Sequence, residues 1–393
     1  MSDREHFDLA VVGGGIAGQL AAIAFAKSGR KTLCIDPAPL HSGQNDLRST
    51  AFLQPARQLL DQIGVWEALA PHATPLQSMR LIDRGRREGD TKDFDAAEIS
   101  DEPFAWNLPN AVIRRELCAL IPKQSGSDFR SGQRLTRMLA RTKGAILGLS
   151  DGSNLTADLV IAADGRNSRV REIAEIAVKT TDFDQMALVF TVCHDAPHAN
   201  SSIEIHRAGG PFTLVPLPNL DGQNRSAVVW MEISQNAQRL FGLSVREFNL
   251  AINERAGDVL GRLELQGDRA IWPIIAQLAE RITAPSTALV AEAAHVVPPI
   301  GAQGLNMSLT DISTLLDLAN RHELGSREML QAYEKARFAD IRRRVNGITM
   351  LNRASISGQP IIQAARNAGL NLLHGVRPLR QALMRTGLGQ AGR

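Results

Sequence analysis

Hydrophobic positions near the start of the chain change their spacing twice within one short stretch. An apolar run over residues 7–12 ends at three glycines, and an alanine-rich stretch from Ile16 to Ser28 then follows with helical spacing. A second apolar run over residues 31–35 ends at Asp36. A strand, a glycine turn, a helix and a second strand in this order predict a βαβ unit with a parallel sheet.

The spacing farther along the chain predicts a second region that is rich in strands. Residues 76–106 are polar and alternating, which predicts an antiparallel excursion, and residues 185–233 have the pattern of strands. A hairpin is predicted over residues 144–163, with Asp151 and Gly152 at its turn. Helical spacing covers residues 55–70, 112–121, 244–263, 302–320 and most of 327–390. The pattern therefore predicts two interleaved domains followed by a helical tail.

Composition limits the class of protein. The 393 residues are 44% hydrophobic and 22% charged, which is an ordinary globular mixture for two or three domains. Three widely separated cysteines, Cys34, Cys118 and Cys193, argue against a disulfide framework and a cysteine metal site. The charged N-terminus has no signal-peptide pattern, and no apolar run approaches about 18 residues. We therefore expect a cytoplasmic protein without a membrane span.

The charge is uneven although the net charge is only +3. Residues 335–393 contain 11 basic residues and one acidic residue. Two explanations stay open, a solvated helical face or a surface for anionic lipid. Leu372, Val376, Leu379 and Leu383 share one helical side beside arginines, so this tail either lies on the inner face of the cell membrane or caps the first domain. Nucleic-acid binding is not expected, because aromatic residues are not interleaved with the basic ones.

The glycines after the first strand follow the dinucleotide-binding pattern Gly13-x-Gly15-x-x-Gly18. The first glycine permits the sharp turn, the second lets the backbone approach a pyrophosphate, and the third lets helix and strand pack closely. Asp36 follows Gly15 by 21 residues, at the end of the next strand, where an acid can accept ribose hydroxyls. The pattern alone does not separate NAD from FAD.

Two later motifs carry a family resemblance. Asp164-Gly165 ends a predicted strand, and residues 289–306 run from a strand through a proline and glycine loop into a helix. With these motifs in this order, the chain resembles the FAD-dependent aromatic hydroxylases of the para-hydroxybenzoate hydroxylase type over roughly residues 5–390. Further matches are similar to the ubiquinone-biosynthesis branch (UbiH/UbiF/VisC and UbiL-like members): Asp46-x-Arg48-x-x-Ala51, Phe212 to Leu217, and Tyr333-x-x-x-Arg337-x-x-Asp340.

The resemblance implies a fold and its boundaries. It implies an α/β protein with a Rossmann-like three-layer FAD domain, an inserted and mostly antiparallel β-sheet substrate domain, and a helical C-terminus. The FAD domain is predicted to be discontinuous, over residues 1–75, 106–180 and 281–345. The substrate domain is predicted over residues 76–105 and 181–280, and the C-terminal helical region over 346–393.

The resemblance also implies a role for each matched residue. The pyrophosphate would lie on Gly13, Gly15, Ile16, Ala17 and Gly18, with Asp164 supporting that region, Asp36 on the adenosine ribose and Arg48 on a phosphate oxygen. Asn110 or Arg114 would approach the ribityl chain or the ring, and Glu292 would accept a ribityl hydroxyl. The loop of Gly301, Gln303, Gly304, Leu305 and Asn306 would present backbone N–H groups to flavin N1 and O2. Arg166 or Arg171 would meet the nicotinamide nucleotide of NAD(P)H.

One departure from the family motif concerns the late loop. Ala291-Glu292 stands where the family usually has Gly-Asp. Glutamate can still accept a ribityl hydroxyl, so we expect FAD binding to be kept. His295 has no partner at metal-ligand spacing and is expected to be structural, while Tyr333 and Arg337, four apart on one helix face, are expected to serve packing. No metal site is expected.

The resemblance implies a reaction in which NAD(P)H reduces the flavin and a flavin C4a-hydroperoxide hydroxylates an aromatic ring, so no side chain is assigned as a general base. The family's tyrosine network for a small phenol cannot form, because Tyr333 is the only tyrosine. An apolar ring pocket is predicted from Leu53, Phe212, Leu214, Pro216, Trp230, Pro298 and Pro299. Such a pocket suits a polyprenylated phenol or quinol of ubiquinone biosynthesis, with other proteins of that pathway as partners.

Two alternatives stay open. One is a hydroxylase of a soluble aromatic compound. The other is a non-catalytic accessory subunit of a quinone-synthesis complex, which the Ala291-Glu292 departure suggests.

Overall fold

The computed structural model describes residues 4–43, 45–83, 90–141, 143–356, 374 and 377–387. The strands are β1 (Glu5–Val12), β2 (Thr32–Asp36), β3 (Ser49–Leu53), β4 (Thr74–Leu76), β5 (Ser78–Asp83), β6 (Asp90–Asp95), β7 (Ala105–Pro109), β8 (Ser127–Ser131), β9 (Leu135–Ala140), β10 (Ala145–Leu149), β11 (Asn154–Ala162), β12 (Val178–His194), β13 (Ser201–Arg207), β14 (Gly210–Leu220), β15 (Gln223–Ile233), β16 (Leu263–Ala279), β17 (Thr283–Ala284), β18 (Thr287–Leu289) and β19 (His295–Val296). The helices are α1 (Ile16–Lys27), α2 (Gln54–Gln62), α3 (Trp66–Leu69), α4 (Asn110–Leu120), α5 (Arg169–Ile173), α6 (Ser234–Phe241), α7 (Val245–Ala256), α8 (Gln303–Ala319), α9 (Arg327–Ile356) and α10 (Arg377–Gly387).

The first sheet holds the predicted βαβ unit. Strands β18, β11, β1, β2 and β8 run parallel in that order, and β17, β10 and β9 add antiparallel edges. The second half of the central strand β1, Leu9 to Val12, is apolar and buried without interruption because both faces of a parallel sheet are covered. Helix α1 is buried on every side from Ile16 to Ala26, which explains its many alanines.

The second sheet, called the long sheet here, has the order β19-β16-β12-β15-β14-β13-β5-β6. All its neighbours are antiparallel except β13 and β5. Side chains alternate between its two faces. The back face packs against Leu240 of α6 and Phe248 of α7, and the front face packs against Ile300, which lies just before α8. A small third sheet, β3-β7-β4, was not predicted.

Helix α9 connects the two larger sheets. The hydroxyl of Tyr333 in α9 donates to the carbonyl of Leu289 in β18, and near the other end of α9 the amide of Asn352 donates to Gln185 Oε1 of β12. Among the described residues, no helix combines the length and the low polarity needed to cross a bilayer. Leu372 and Val376 of the predicted amphipathic element lie outside the described residues, as does the side chain of Leu383.

The fold class is confirmed, while the predicted domain boundaries remain a prediction. The predicted βαβ unit and the hairpin at Asp151-Gly152 form as expected. The helix predicted over residues 244–263 was wrong at its end. It stops at Ala256 because Gly257, with φ of 62°, turns the chain toward β16.

Candidate functional site

Of the three glycines of the pattern after β1, only Gly15 has open space around it. A Cβ on Gly13 would overlap the carbonyl of Ala163, and a Cβ on Gly18 would overlap the carbonyl of Gly13. A Cβ on Gly15 would meet no described atom within 4 Å. Gly15 is also the N-cap of α1, and no side chain caps that helix. The free amides of the first turn therefore border a space that fits a phosphate group.

Asp36 ties the end of β2 to the glycine turn. Its half-buried carboxylate accepts hydrogen bonds from the backbone amides of Gly14 and Ala38. The carboxylate thus lies at the edge of the same space that Gly15 borders. Its predicted contact with a ribose stays a prediction, and the geometry adds a role in holding the turn.

Asp164 lies beside the glycine turn, but its carboxylate faces its own loop. A Cβ on Gly13 would lie 2.7 Å from the Asp164 Cα, while the Asp164 carboxylate accepts from Ser168 Oγ at 2.5 Å and from Val170 N at 3.1 Å. Burial raises the pKa of Asp164, and these two hydrogen bonds oppose that rise. The side chain therefore fixes the start of α5 next to the turn.

Arg171 links two loops beside the glycine turn. Its buried guanidinium donates to the carbonyls of Ala293 at 2.9 Å and Arg166 at 2.8 Å. It therefore fastens the Asp164 loop to the late loop, and the predicted contact of Arg166 or Arg171 with a nicotinamide nucleotide stays a prediction. Arg166 is more exposed and lies 3.7 Å from Glu292.

The late loop ends in a helix start that is also open. Gly301 and Ala302 have positive φ, and α8 begins at Gln303 without a side-chain cap. A Cβ on Gly304 would meet no described atom within 4 Å. The first-turn amides of Gln303, Gly304 and Leu305 can therefore face a ligand, and the partial positive charge of the helix start favours a negative one.

The side chain of Asn306 holds this helix start against β3. Its Oδ1 accepts from the amide of Leu53 at 2.9 Å, and its Nδ2 donates to the carbonyls of Ala51 and Ala302. Gln303 is likewise engaged, because its Nε2 donates to the carbonyls of Gly301 and Gly387. Any cofactor contact of Asn306 or Gln303 therefore falls to the backbone, as the predicted role requires.

Arg48 and Asn110 form one polar cluster around Asp46. The Arg48 guanidinium makes two hydrogen bonds to Asp46, at 2.8 and 2.7 Å, and Asn110 Nδ2 lies 3.3 Å from the same carboxylate. Burial would raise the pKa of Asp46, but the hydrogen bond and charge of Arg48 outweigh it and lower that pKa. Arg48 also lies 5.2 Å over the ring of Trp272 in the long sheet. Among the described residues, the buried Nε of Arg114 has no hydrogen-bond partner.

Ala291 has a backbone conformation that favours glycine. Its φ is 54°, in the left-handed region, and the next residue, Glu292, is about half exposed toward Arg166. The family motif with glycine at this position therefore has a local physical reason, and this chain accepts strain there.

Replacing Ala291 with glycine should raise the free energy of unfolding by up to about 1 kcal/mol, because relief of left-handed strain exceeds the added freedom of the unfolded chain. Ala293→Gly, in the same buried turn without positive φ, is the control and should lower it by about 0.5–1 kcal/mol. Urea unfolding followed by circular dichroism measures both changes. Equal destabilisation by the two substitutions would contradict this account.

A buried charge cluster below the late loop was not predicted as a unit. Asp311 in α8 accepts from His295 Nε2 at 2.7 Å and from Arg337 Nε at 2.9 Å, and Arg337 also reaches Asp340 at 2.8 Å. Burial would lower the pKa of Arg337, but the charge of Asp311 outweighs it and raises that pKa. His295 is structural, as expected, and Arg337 does more than pack. The sequence signal that could have identified Asp311 is an acidic residue within the apolar face of α8.

Part of the predicted ring pocket was wrong. Phe212, Leu214 and Trp230 belong to the back-face core with α6 and α7, and Pro216 shares the parity of Phe212 and Leu214 along β14, so it lies on the same face. Successive side chains of a strand point to opposite faces of the sheet. The prediction chose the wrong set of alternate residues, so it placed the whole pocket on the wrong face. The missed front-face residues are Ala187, Val229, Met231 and Ile274. The pocket roles of Leu53, Pro298 and Pro299 stay predictions. These residues lie near the late loop: the Leu53 amide donates to Asn306, and the two prolines directly precede Ile300.

Comparisons with known proteins find relatives over nearly the whole chain. The family model described as FAD binding domain matches residues 6–347. The chain is 30% identical to the ubiquinone hydroxylase UbiL of Rhodospirillum rubrum, over 97% of this chain and 89% of that one. It is 26% identical to the 3-demethoxyubiquinol 3-hydroxylase of Escherichia coli, over 97% and 98% respectively. The fold matches p-nitrophenol 4-monooxygenase PnpA of Pseudomonas putida with a TM-score of 0.81 at 18% identity, covering 99% of this chain and all of that one.

Proposed function

Because the chain belongs to the FAD-dependent aromatic hydroxylase family, in its ubiquinone-biosynthesis branch, we propose that it hydroxylates the ring of a polyprenylated ubiquinone precursor. The proposed donor of two electrons is NAD(P)H, and O₂ supplies one oxygen atom to the ring and one to water. The observation that carries the proposal is the apolar front face of the long sheet opposite the late loop.

Bound FAD supplies the redox chemistry, namely hydride uptake and activation of O₂. The residues of this chain bind and orient it. The first-turn amides after Gly15 take the pyrophosphate, and the uncapped start of α8 stabilises negative charge near Gly304. The packing of Ile300 against Ala187 and Met231 keeps water from the space between loop and sheet.

The front face supports an apolar ring substrate. Val229, Met231 and Ile274 offer only hydrocarbon or thioether surface, and Trp272 in the same sheet is 42% exposed. Tyr333 is fully buried and donates to Leu289 O, so it cannot take part in ionising a small phenol. Burial also raises the pKa of Tyr333. These features favour a prenylated substrate over a small anionic one.

The C-terminal surface supports access from an anionic membrane. Met350 and Leu351 on α9 are 70% and 61% exposed, and Arg353 follows them. Helix α10 is fastened through Arg380 to Glu98 at 2.7 Å, while Arg385 remains exposed. The described part of the tail is thus docked on Glu98, within residues 76–105, and its basic, partly apolar outer surface supports the membrane alternative.

The test compares 2-geranylphenol in vesicles with soluble phenol and 4-hydroxybenzoate, scored as NAD(P)H oxidation with product identified by mass spectrometry. We expect hydroxylated product from the prenylated phenol, formed at least about ten-fold faster on vesicles that contain anionic lipid than on zwitterionic ones. Product from the soluble phenols alone would contradict the proposal and favour the soluble-aromatic alternative. Equal rates on the two vesicle types would contradict only the proposed access from an anionic membrane.

A further inference from the structure

A small cavity lies between the long sheet and helix α9. Its volume is about 160 Å³. Lys179 and Thr181 of β12 line it from the sheet, and Asn346, Thr349 and Arg353 line it from the helix. The three helical residues follow one another at spacings of three and four positions, which places them on one side of α9. We call this cavity the α9 cleft.

The α9 cleft lies on the front face of the long sheet. Ala276 and Leu278 line it, and they share the parity of Ile274, which belongs to the front-face cluster that Ile300 packs against. The register sets Lys179 level with Leu278, so its side chain is on the same face. Ala276 is two residues from Ile274, about 7 Å along β16. The cleft therefore lies next to the part of the sheet that the proposed function assigns to the substrate ring.

The polar lining of the α9 cleft has no partners within the protein. None of its five side chains from Lys179 to Arg353 named above makes a hydrogen bond or an ion pair with another described residue. Thr310 and Thr314 of α8, by contrast, donate to carbonyls one turn earlier in their helix, at 3.0 and 2.7 Å. Among the described residues, no carboxylate lines the cleft. Two cations and two hydroxyl groups without partners therefore border one cavity.

This set of donors indicates a phosphate group as the ligand of the α9 cleft. Arginine and lysine are the side chains that most often bind phosphate oxygens, and hydroxyl and amide groups add further hydrogen bonds. Pockets for drug-sized ligands have volumes of about 300–1,000 Å³. The smaller volume of the cleft therefore suits a single phosphate group and not a whole nucleotide.

The helix surface beside the cleft indicates that this phosphate belongs to a lipid. Met350 directly follows Thr349, and its side chain is 70% exposed. Arg342 and Arg343, about two turns earlier on α9, are exposed as well. An exposed apolar side chain among cations is typical of a helix surface that lies on an anionic bilayer. Binding of a phosphate in free solution would not need the apolar side chain.

We propose that the α9 cleft binds the phosphate of an anionic phospholipid through Lys179 and Arg353, while Met350 enters the hydrocarbon beside it. This inference rests on the membrane access in the proposed function, which it assigns to one site. The bound lipid holds the front face of the long sheet near the bilayer surface, which is the source of a polyprenylated substrate.

The test measures sedimentation of the full-length, FAD-loaded protein with vesicles of phosphatidylcholine, alone or mixed with phosphatidylglycerol, and without substrate. We expect the wild type to bind the mixed vesicles at least about ten-fold more tightly. Lys179→Gln/Arg353→Gln should lower the affinity for mixed vesicles at least about ten-fold, because it removes both cations of the cleft. Arg141→Gln/Lys143→Gln, the matched control, removes two charges between β9 and β10 and should change that affinity less than about two-fold.

A second variant tests the cavity without changing the charge. Thr349→Phe fills the α9 cleft, so it should lower the affinity for mixed vesicles at least about five-fold. Circular dichroism and flavin content establish that this variant is folded. Inorganic phosphate, titrated into the wild type by calorimetry, should bind with a dissociation constant above about 1 mM.

The outcomes separate this inference from the proposed function. Equal losses in the two double variants, or wild-type binding by folded Thr349→Phe, would overturn the cleft and leave general attraction to the membrane standing. Inorganic phosphate binding below about 1 mM that Lys179→Gln/Arg353→Gln abolishes would overturn the lipid as the ligand. Equal binding of the wild type to both vesicle types would overturn the cleft and the membrane access together, while ring hydroxylation is decided separately by product formation. If Thr349→Phe fails to fold, the two double variants decide.

Discussion

Substituting valine for Gly15 is expected to weaken FAD binding at least about 100-fold while the protein stays folded. The side chain would fill the space that borders the free amides of α1, where a phosphate must approach the backbone. No described atom lies within 4 Å of a Cβ there, so the fold itself has room for the substitution. Titration of the apoprotein with FAD, followed by flavin fluorescence, measures the loss.

The control for this prediction is Gly347→Val. Gly347 also has open space around a Cβ, but it lies on the exposed side of α9 away from the glycine turn. This variant should bind FAD as the wild type does. Wild-type affinity in Gly15→Val, or an equal loss in both variants, would show that the space beside Gly15 does not hold the pyrophosphate.

Asp311→Asn is expected to lower the free energy of unfolding by about 3–5 kcal/mol, because it leaves Arg337 and His295 buried without their shared carboxylate. The cluster also supports Ala291, whose amide lies 3.4 Å from the Asp311 carboxylate. We therefore expect the late loop to loosen and FAD affinity to fall as well. Urea unfolding monitored by circular dichroism measures the stability change.

Asp317→Asn is the matched control, because Asp317 lies on the same helix but is exposed. Its effect should stay within about 0.5 kcal/mol. A loss of less than about 1 kcal/mol in Asp311→Asn would mean that the buried ion pairs contribute little, as they do where a neutral set of partners packs equally well.

The local geometry of the glycine turn could be predicted because its physical demands are local. Gly13 and Gly18 are required by contacts within a single turn, and Asp36 follows from the length of one βαβ unit. Ala291 shows the same principle, since a departure from the family's glycine coincides with a positive φ. At such positions the identity of a single residue indicates the backbone conformation or close contact that the fold requires.

The parts that could not be predicted depend on long-range contacts or on strand parity. Asp311 meets His295 and Arg337 only after α8 and α9 pack, and Arg171 reaches Ala293 from 122 residues away. In β14, moving the assignment by one residue exchanges Phe212 for its front-face neighbours. Both apolar faces of a covered sheet look alike in the sequence, so only the packing of α6 and α7 distinguishes them.

The most direct measurement of the central claim is the fate of isotopic oxygen. The purified protein, loaded with FAD, is supplied with NAD(P)H, 2-geranylphenol and ¹⁸O₂. The molecular mass of the product is then measured by mass spectrometry. We predict one heavy oxygen atom on each hydroxylated ring and the other in water. Consumption of NAD(P)H that yields hydrogen peroxide and an unchanged phenol, or a protein that takes up no flavin, would contradict it.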